Sequence, residues 1–480
     1  QTYPFRKMFR PLSRACKPAV NASLFSGKKS FQSSAPAMSY SVPLGLEHGT
    51  GLEPGTFRIK TFNKISPDGL KRFPEPFYQI SGDYEDHCHA ILLRSHKLQA
   101  SEVPTSCRAI ARCGAGTNNV PVGEMTEAGI PVFNTPGANA NAVKELVLAG
   151  LLLSSRDIIG GVGHMKTLGA DGTARERVEK DKAMFGGREI AGKTIGVVGL
   201  GHIGSATARD AAALGMNVVG FDPGLTVQAA LKLPRETKLL PSIKAVLGSA
   251  DYVSLNVPFI NKPVSEGGTK GIINAEMFEY MKSDAVLLNF ARGELVDSND
   301  LKAWMNKPSV SGKYVTDFPD DEVWDHKNAI VIPHLGASTE EAEDAAASMA
   351  ADTVMRFLTT GEIINSVNFP ETLLDSRDTE NTVRIGVVNR NVPAVLTKIL
   401  GVFGNHSLNI SQQVNKSRGD IAYNVIDIIA EAGGAEVAWK EVQKELTTID
   451  EVISSRFIFG NSPLGGYGYA KNLPGEGYWV

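Results

Sequence analysis

The sequence predicts an α/β fold built on doubly wound parallel sheets, with a smaller βαββαβ unit towards its C-terminal end. Three observations carry that prediction. From Phe57 to about Pro333, short apolar runs bounded by polar turns alternate with helical stretches, the pattern of βαβ units. One of those runs, 194–198, enters the pattern Gly199-Leu-Gly-His-Ile-Gly204 and then a helical stretch. Beyond Val383 the order changes to strand, helix, two strands, helix, strand, with a turn around Gly419 pairing the middle two.

Taken in order, residues 57–62 alternate as a strand should, and 90–93, 109–111 and 131–133 are further short strands. Residues 122–128 read as a helix, and a long apolar helix spans 142–155 with Asn141 as its cap. The second part has strands at 194–198, 216–221, 252–257, 285–289, 314–316 and 330–332, with a helix over 205–214. The third has strands at 383–388, 408–414, 421–429 and 452–459 and helices at 393–403 and 435–446. Residues 371–382 are acidic and polar, a linker composition, and the Gly-, Pro- and Tyr-rich tail over 461–480 is expected to be loosely held.

Composition narrows the function classes. The 480 residues carry 49 basic and 52 acidic side chains, a net charge of −3, with 42% hydrophobic residues. That balance argues against a general nucleic-acid binder and against a mostly disordered chain. No apolar run approaches the roughly 20 residues that span a bilayer; the longest, 146–153, contains Gly150. Cys16, Cys88, Cys107 and Cys113 are too few for a disulfide scaffold and lack zinc-ligand spacing, so reduced thiols and no metal are expected. Residues 1–54 differ from the rest: the first forty hold seven Lys and Arg, and no acid occurs before Glu47. A basic, Ser-rich, acid-free segment reads as a mitochondrial or plastid transit peptide. Translation from Met38 would remove it and leave the protein cytoplasmic.

The chemistry is carried by residues at strand ends. Gly199 permits a tight turn, Gly201 lets backbone approach a pyrophosphate, and Gly204 lets the helix pack on the sheet. The helix N-terminus then offers free N–H groups to the phosphates. Asp222 closes the next strand, where a carboxylate accepts from ribose hydroxyls and repels a 2′-phosphate, favouring NAD over NADP. Arg292, in Asn289-Phe-Ala-Arg-Gly293, offers a planar donor fork that matches a carboxylate. His334 follows another strand, and imidazole suits removal of an alcohol proton near neutral pH. An acidic cluster, Asp317, Asp320, Asp321 and Glu322, shares that sheet edge, and one of its members could orient the imidazole.

At these residues the chain resembles the D-isomer-specific 2-hydroxyacid dehydrogenases, over roughly residues 55–460. The resemblance rests on Gly199 to Gly204 with Asp222, the motif around Arg292, and Pro333-His-Leu-Gly-Ala-Ser-Thr339. It implies two Rossmann-like doubly wound parallel-sheet domains plus a C-terminal βαββαβ ferredoxin-like unit of the ACT type. The substrate-binding domain would comprise 55–145 and 337–370, the NAD domain 146–336, and the ACT unit 383–460. Within the family the likeness is to members that oxidise 3-phospho-D-glycerate to 3-phosphohydroxypyruvate, the first step of phosphorylated serine biosynthesis. Other 2-hydroxy acids, such as 2-hydroxyglutarate or glycerate, and a non-catalytic NADH-sensing role are the alternatives.

Carried over by position, the resemblance implies that Arg292 clamps the substrate carboxylate and His334 takes the hydroxyl proton. The acidic partner is Asp321 counting from Phe318-Pro319, or Glu322 counting from Asp317. His202 and Ile203 would flank the cofactor phosphates and Asp317 or its neighbour would bond the carboxamide, with Pro258, Phe290 and Gly336 completing the cofactor set. Lys64, Arg94 and His96 would hold the substrate phosphate, with the Ala115-Gly116 backbone and Asn139 nearby. In the ACT unit Asn391 and Asn409 match effector-contacting positions for serine, and Asn389 stands where serine-sensitive members carry His. Ala394 replaces a customary glycine, where a methyl group could block a ligand. A homo-oligomer is implied as well.

Overall fold

The computed structural model describes residues 57–75, 77–375, 382–429, 439–458 and 467–471. Residues 1–54, expected to be a transit peptide, half of the linker (376–381), the start of the helix expected from Ala435 and most of the tail lie outside the described residues.

The first lobe is a five-stranded parallel sheet: β1 (Phe57–Phe62), β2 (Tyr78–Ser81), β3 (Ala90–Leu93), β4 (Ala109–Arg112) and β5 (Val132–Phe133), in the order β2-β1-β3-β4-β5. All four residues of β3 are buried, because a parallel sheet is covered on both faces. The edge strand β2 escaped the sequence reading; Tyr-Gln-Ile-Ser is too short a run to show a period. The helix Ala140–Ser155 leaves this sheet and begins two residues earlier than expected, with Asn139 rather than Asn141 before its first turn. The helix Glu340–Thr360 packs across the same sheet. Its Ala346, Ala347, Ala350 and Val354 share a core with Phe57, Ile59, Leu92 and Ala111. The fit is close enough that a Cβ on Gly69 would lie 2.2 Å from Ala347 Cβ.

The second lobe is a seven-stranded parallel sheet: β6 (Thr194–Val198), β7 (Asn217–Phe221), β8 (Lys238–Leu239), β9 (Tyr252–Leu255), β10 (Val286–Asn289), β11 (Lys313–Thr316) and β12 (Ala329–Val331). Its order, β12-β11-β10-β9-β6-β7-β8, means that the chain builds outward from β6 in one direction and then returns to build in the other. The reversal between β6 and β9 opens a crevice at the carboxyl ends of the strands. Two helices without a sequence signal, Ile158–Ala170 and Ala174–Asp181, precede this sheet and expose apolar side chains.

The C-terminal sheet is antiparallel: β13 (Thr382–Arg390), β14 (Asn409–Arg418), β15 (Ile421–Ile429), β16 (Val452–Ile458) and β17 (Tyr467–Lys471), in the order β14-β15-β13-β16-β17. The tail expected to be loosely held therefore contributes an edge strand, paired antiparallel with β16. Central strands β13 and β15 are buried along nearly their whole length because both faces are covered. The helices Val395–Asn405 and Trp439–Thr447 cover one face. On the other, Val388, Ile421, Tyr423 and Val425 join the first-lobe core. Tyr423 Oη donates to Gly361 O at 2.7 Å and Arg456 to Phe357 O at 2.6 Å, which satisfies carbonyls at the end of the Glu340–Thr360 helix. A buried bidentate pair, Arg384 to Asp427 at 2.7 and 2.8 Å, lies on the same face.

Candidate active site

Strands β10, β11 and β12 lie side by side in register, with Asn289 beside Thr316 and Thr316 beside Val331. Residues just past these three positions therefore share one sheet edge: Arg292 after β10, Asp317 after β11 and His334 after β12. Adjacent strands are about 4.8 Å apart, so the outer two of the three lie roughly 10 Å apart, within reach of one small molecule held between their side chains. Buried Asn289 holds the first loop: its Nδ2 donates to Arg292 O at 2.9 Å and its Oδ1 accepts from Ala291 N. Phe318 fills the space between, its ring 4.7 Å from the His334 ring and its Cβ 3.4 Å from where a Cβ on Gly293 would stand.

The first lobe closes on this edge. A Cβ on Gly116 would lie 3.3 Å from an Arg292 Nη, and one on Gly137 would lie 2.7 Å from His202 Cγ. Both glycines thus allow the two lobes to touch beside the crevice.

The glycine turn fits a dinucleotide. Gly199 has φ +89°, and a Cβ there would meet Asn256 O at 2.6 Å; a Cβ on Gly204 would meet Gly199 O at 1.9 Å. Gly201 faces open space, and no side chain caps the helix His202–Ala213 that it begins. Its first N–H groups are left for an anion. Asp222 is held by two backbone donors, Leu200 N to Oδ2 and Gly224 N to Oδ1, both at 2.8 Å. Pro258 is exposed just past β9. Ile203 packs partly into the second-lobe core. The Phe290 side chain is buried, and a Cβ on Gly150 would lie 2.8 Å from its Cζ, so the ring packs against the Ala140–Ser155 helix and only the backbone of Phe290 is left for the cofactor.

Neither residue assigned as the acidic partner, Asp321 or Glu322, makes a hydrogen bond to His334 among the described residues. Val323 is fully buried in the second-lobe core and draws the preceding residues towards the helix Ser298–Met305. Ser298 Oγ donates to Asp320 at 2.8 Å, Lys302 pairs with Glu322 at 2.9 Å, and Asp321 is exposed on the same stretch. The carboxylate tied to the loop that carries His334 is Asp317. It is fully buried, and its Oδ2 accepts from Gly336 N at 2.9 Å. Burial pushes its pKa up, against the lowering effects of the Gly336 N–H and of His334. Its Oδ1 has no hydrogen-bond partner among the described residues, a vacancy that the amide of a nicotinamide carboxamide would satisfy.

The phosphate set divides. Asn63, at φ +64°, accepts from the N–H groups of Ser95 (3.2 Å) and His96 (2.6 Å) and so ties the loops after β1 and β3 together. Lys64 beside it is exposed. His96 is otherwise engaged: its ring stacks on Phe62 at 4.3 Å and its Nε2 lies 3.0 Å from Glu102. Arg94 pairs with Glu343 at 2.5 Å. Ala115 O accepts from Asn134 Nδ2 at 2.6 Å, and Asn139 stands before the Ala140–Ser155 helix with no side-chain cap bond.

A residue absent from the sequence reading is Arg112, the last residue of β4. Its Nε donates to Arg94 O at 3.2 Å. Burial lowers its pKa from the ordinary range, and the charges of Arg94 and Arg292 lower it further. Gly114, at φ +145°, makes room for it, since a Cβ there would lie 1.5 Å from Arg112 Nη1. The available signal was a cation at the carboxyl end of a buried strand, the same signal that singled out Arg94.

The three effector positions are not brought together within one chain. Asn389 is buried, its Oδ1 accepting from Asn424 Nδ2 at 2.7 Å and its Nδ2 donating to Arg390 O at 2.6 Å, so its amide is already used. Asn391 donates to Gly419 O at 3.0 Å. Asn409 lies opposite Ile429, which faces Thr382 at the far end of β13 from Asn389. Ala394 has φ +70°, a left-handed conformation suited to the glycine it replaces.

Comparison with known proteins agrees with this geometry. Residues 163–336 match the model of the D-isomer specific 2-hydroxyacid dehydrogenase NAD binding domain. The D-3-phosphoglycerate dehydrogenase of Dictyostelium discoideum is 30% identical over 84% of this chain and 97% of its own. A putative D-3-phosphoglycerate dehydrogenase of Schizosaccharomyces pombe is 33% identical over 71% and 73%, respectively. Among solved structures, NAD+-bound 3-phosphoglycerate dehydrogenase of Entamoeba histolytica superposes with a TM-score of 0.50 at 21% identity, covering 65% of this chain and 98% of that one. Rhodotorula graminis D-mandelate dehydrogenase gives 0.54 at 21% identity over 65% and 98%, so these structures share the fold. The chain belongs to the D-isomer specific 2-hydroxyacid dehydrogenase family, and residues 163–336 are its NAD-binding domain.

Proposed function

We propose that the protein oxidises 3-phospho-D-glycerate to 3-phosphohydroxypyruvate with NAD, the entry step of phosphorylated serine synthesis. The observation that carries this reading is the placing of three arginines around one turn: Arg112 Nε donates to Arg94 O at 3.2 Å, and in the Gly114-Ala-Gly116 turn Gly114 packs on Arg112 and Gly116 on Arg292. A simple 2-hydroxy acid needs one guanidinium for its carboxylate. A second anionic group of high charge accounts for the other two. The naming of relatives such as that of Dictyostelium discoideum supports the same substrate.

NAD, held on the Gly199–Gly204 turn with its ribose at Asp222, supplies the hydride acceptor when bound. Arg292 holds the substrate carboxylate and fixes C2 at the sheet edge. His334 takes the hydroxyl proton, and the buried Asp317 carboxylate stabilises the resulting imidazolium. Phe318 limits the orientations open to the His334 ring. Arg94 and Arg112, with Lys64 at the rim, hold the phosphate. The test is NADH formation with 3-phosphoglycerate, glycerate and 2-hydroxyglutarate; equal turnover of the unphosphorylated acids would overturn the assignment.

Further readings belong with this one. Ile158, Ile159, Val162 and Met165 project from one helix with Met184 nearby in sequence, each at least 40% exposed, which supports a homodimer formed through that face. The separation of Asn391 from Asn409 supports an amino-acid effector bound between two copies of the C-terminal unit. The acid-free basic leader supports an organelle address.

A further inference from the structure

The cationic edge of the first lobe contains a carboxylate that the proposed reaction does not use. Glu343 sits in the first turn of the Glu340–Thr360 helix, and its Oε1 meets an Arg94 Nη at 2.5 Å. The next residue, Asp344, accepts from Ser66 Oγ, and Ser66 in turn accepts from Asp68 N at the start of a short helix. This contact pins the helix's first turn against the loop that carries Lys64, and so delivers Glu343 to Arg94. A carboxylate there also faces the partial positive charge of the helix N-terminus. Arg112, the neighbour of Arg94, forms no ion pair among the described residues. Glu343 is therefore the counter-ion of Arg94, whose backbone carbonyl accepts from Arg112 Nε at 3.2 Å.

We propose that Glu343 is a specificity-determining residue that occupies Arg94 until a phosphate displaces it. The idea rests on the reading of Arg94 as a phosphate ligand. A phosphomonoester carries about −1.5 to −2 charges near neutral pH and cannot share Arg94 with a carboxylate without repulsion. Two acceptors thus compete for one donor fork. Arg94 and Glu343 are 38% and 39% exposed, and an ion pair so open to water is weak enough to be exchanged. A dianion bridging Arg94 and Arg112 wins that exchange; a neutral hydroxyl at the same place does not. The carboxylate lowers affinity for every anion at the site but leaves only the strongest able to enter.

The test is steady-state kinetics on the full-length enzyme, comparing wild type, Glu343→Gln and Arg94→Ala. Glu343→Gln is expected to lower KM for 3-phosphoglycerate about threefold and to lower the inhibition constant of inorganic phosphate by a similar factor. kcat, and KM for unphosphorylated glycerate, should stay within experimental error. An unchanged phosphate inhibition constant, or a KM that rises because Glu343 orients Arg94 for its ligand, overturns the proposal. Arg94→Ala separates the two levels of inference. If it leaves KM for 3-phosphoglycerate unaltered, the phosphate reading of this loop fails; if it raises KM while Glu343→Gln has no effect, that reading stands and the competition between Glu343 and phosphate is refuted.

Discussion

Asp317 and Gly336 join two neighbouring strand ends: the Gly336 N–H donates to Asp317 Oδ2 at 2.9 Å, fixing the loop that presents His334. The carboxylate in this bond is fully buried and its pKa is raised, chiefly by burial. A raised folded value means that the folded state favours the neutral acid. The contribution to stability is present in full below the unfolded carboxyl pKa of about 3.9 and is lost as pH rises through the folded value.

Asp317→Asn should therefore stabilise the protein at pH 7.5, on the order of 1 kcal/mol, since an amide oxygen can still accept from Gly336 without a buried charge. The advantage should shrink as pH falls towards 4. Urea unfolding at pH 7.5 and 4.5 measures both values; an advantage that grows towards acid contradicts the assigned direction. The same variant should lose activity, because the imidazolium formed at His334 loses its counter-charge.

His334→Ala should lower kcat at least about 100-fold, the usual scale for a general base, while NADH affinity by fluorescence titration stays within a factor of two. Retention of a tenth of wild-type kcat, equivalent to about 1.4 kcal/mol, would remove the proton-transfer role.

Asp222→Ala removes the acceptor that Leu200 N and Gly224 N share, together with the charge that would repel a 2′-phosphate. The ratio of kcat/KM for NAD over NADP should drop by about tenfold or more, as expected when a charge-assisted contact is lost. Unchanged selectivity would place the ribose elsewhere.

The exposed face of the Ile158–Ala170 helix gives a prediction about assembly. Ile159 and Val162 are each 51% exposed. If the proposed homodimer forms through this face, glutamate at both positions should yield a monomer in sedimentation velocity, without unfolding either lobe. A monomeric wild-type protein would refute the interface directly.

Much of the molecule was legible from sequence because the relevant constraints are local. A buried parallel strand reads as an apolar run whatever its partners, and Gly199 and Gly204 are required by a φ angle and by close contacts in and beside one turn. Arg292 and His334 could be found because a polar group directly after such a strand has few places to go but the sheet edge. Non-local packing decided the rest. Buried Val323 drew Asp320 and Glu322 towards the Ser298–Met305 helix and left Asp317 to hold the loop of His334 through Gly336 N. Stacking on Phe62 absorbed His96. Arg112 joined the cationic cluster only because β4 lies next to β3, and Glu343 reached Arg94 from a helix about 250 residues further along the chain. Backbone geometry is set over a few residues and leaves its mark in composition; charge pairing depends on which distant side chains the packed core brings within a few ångströms.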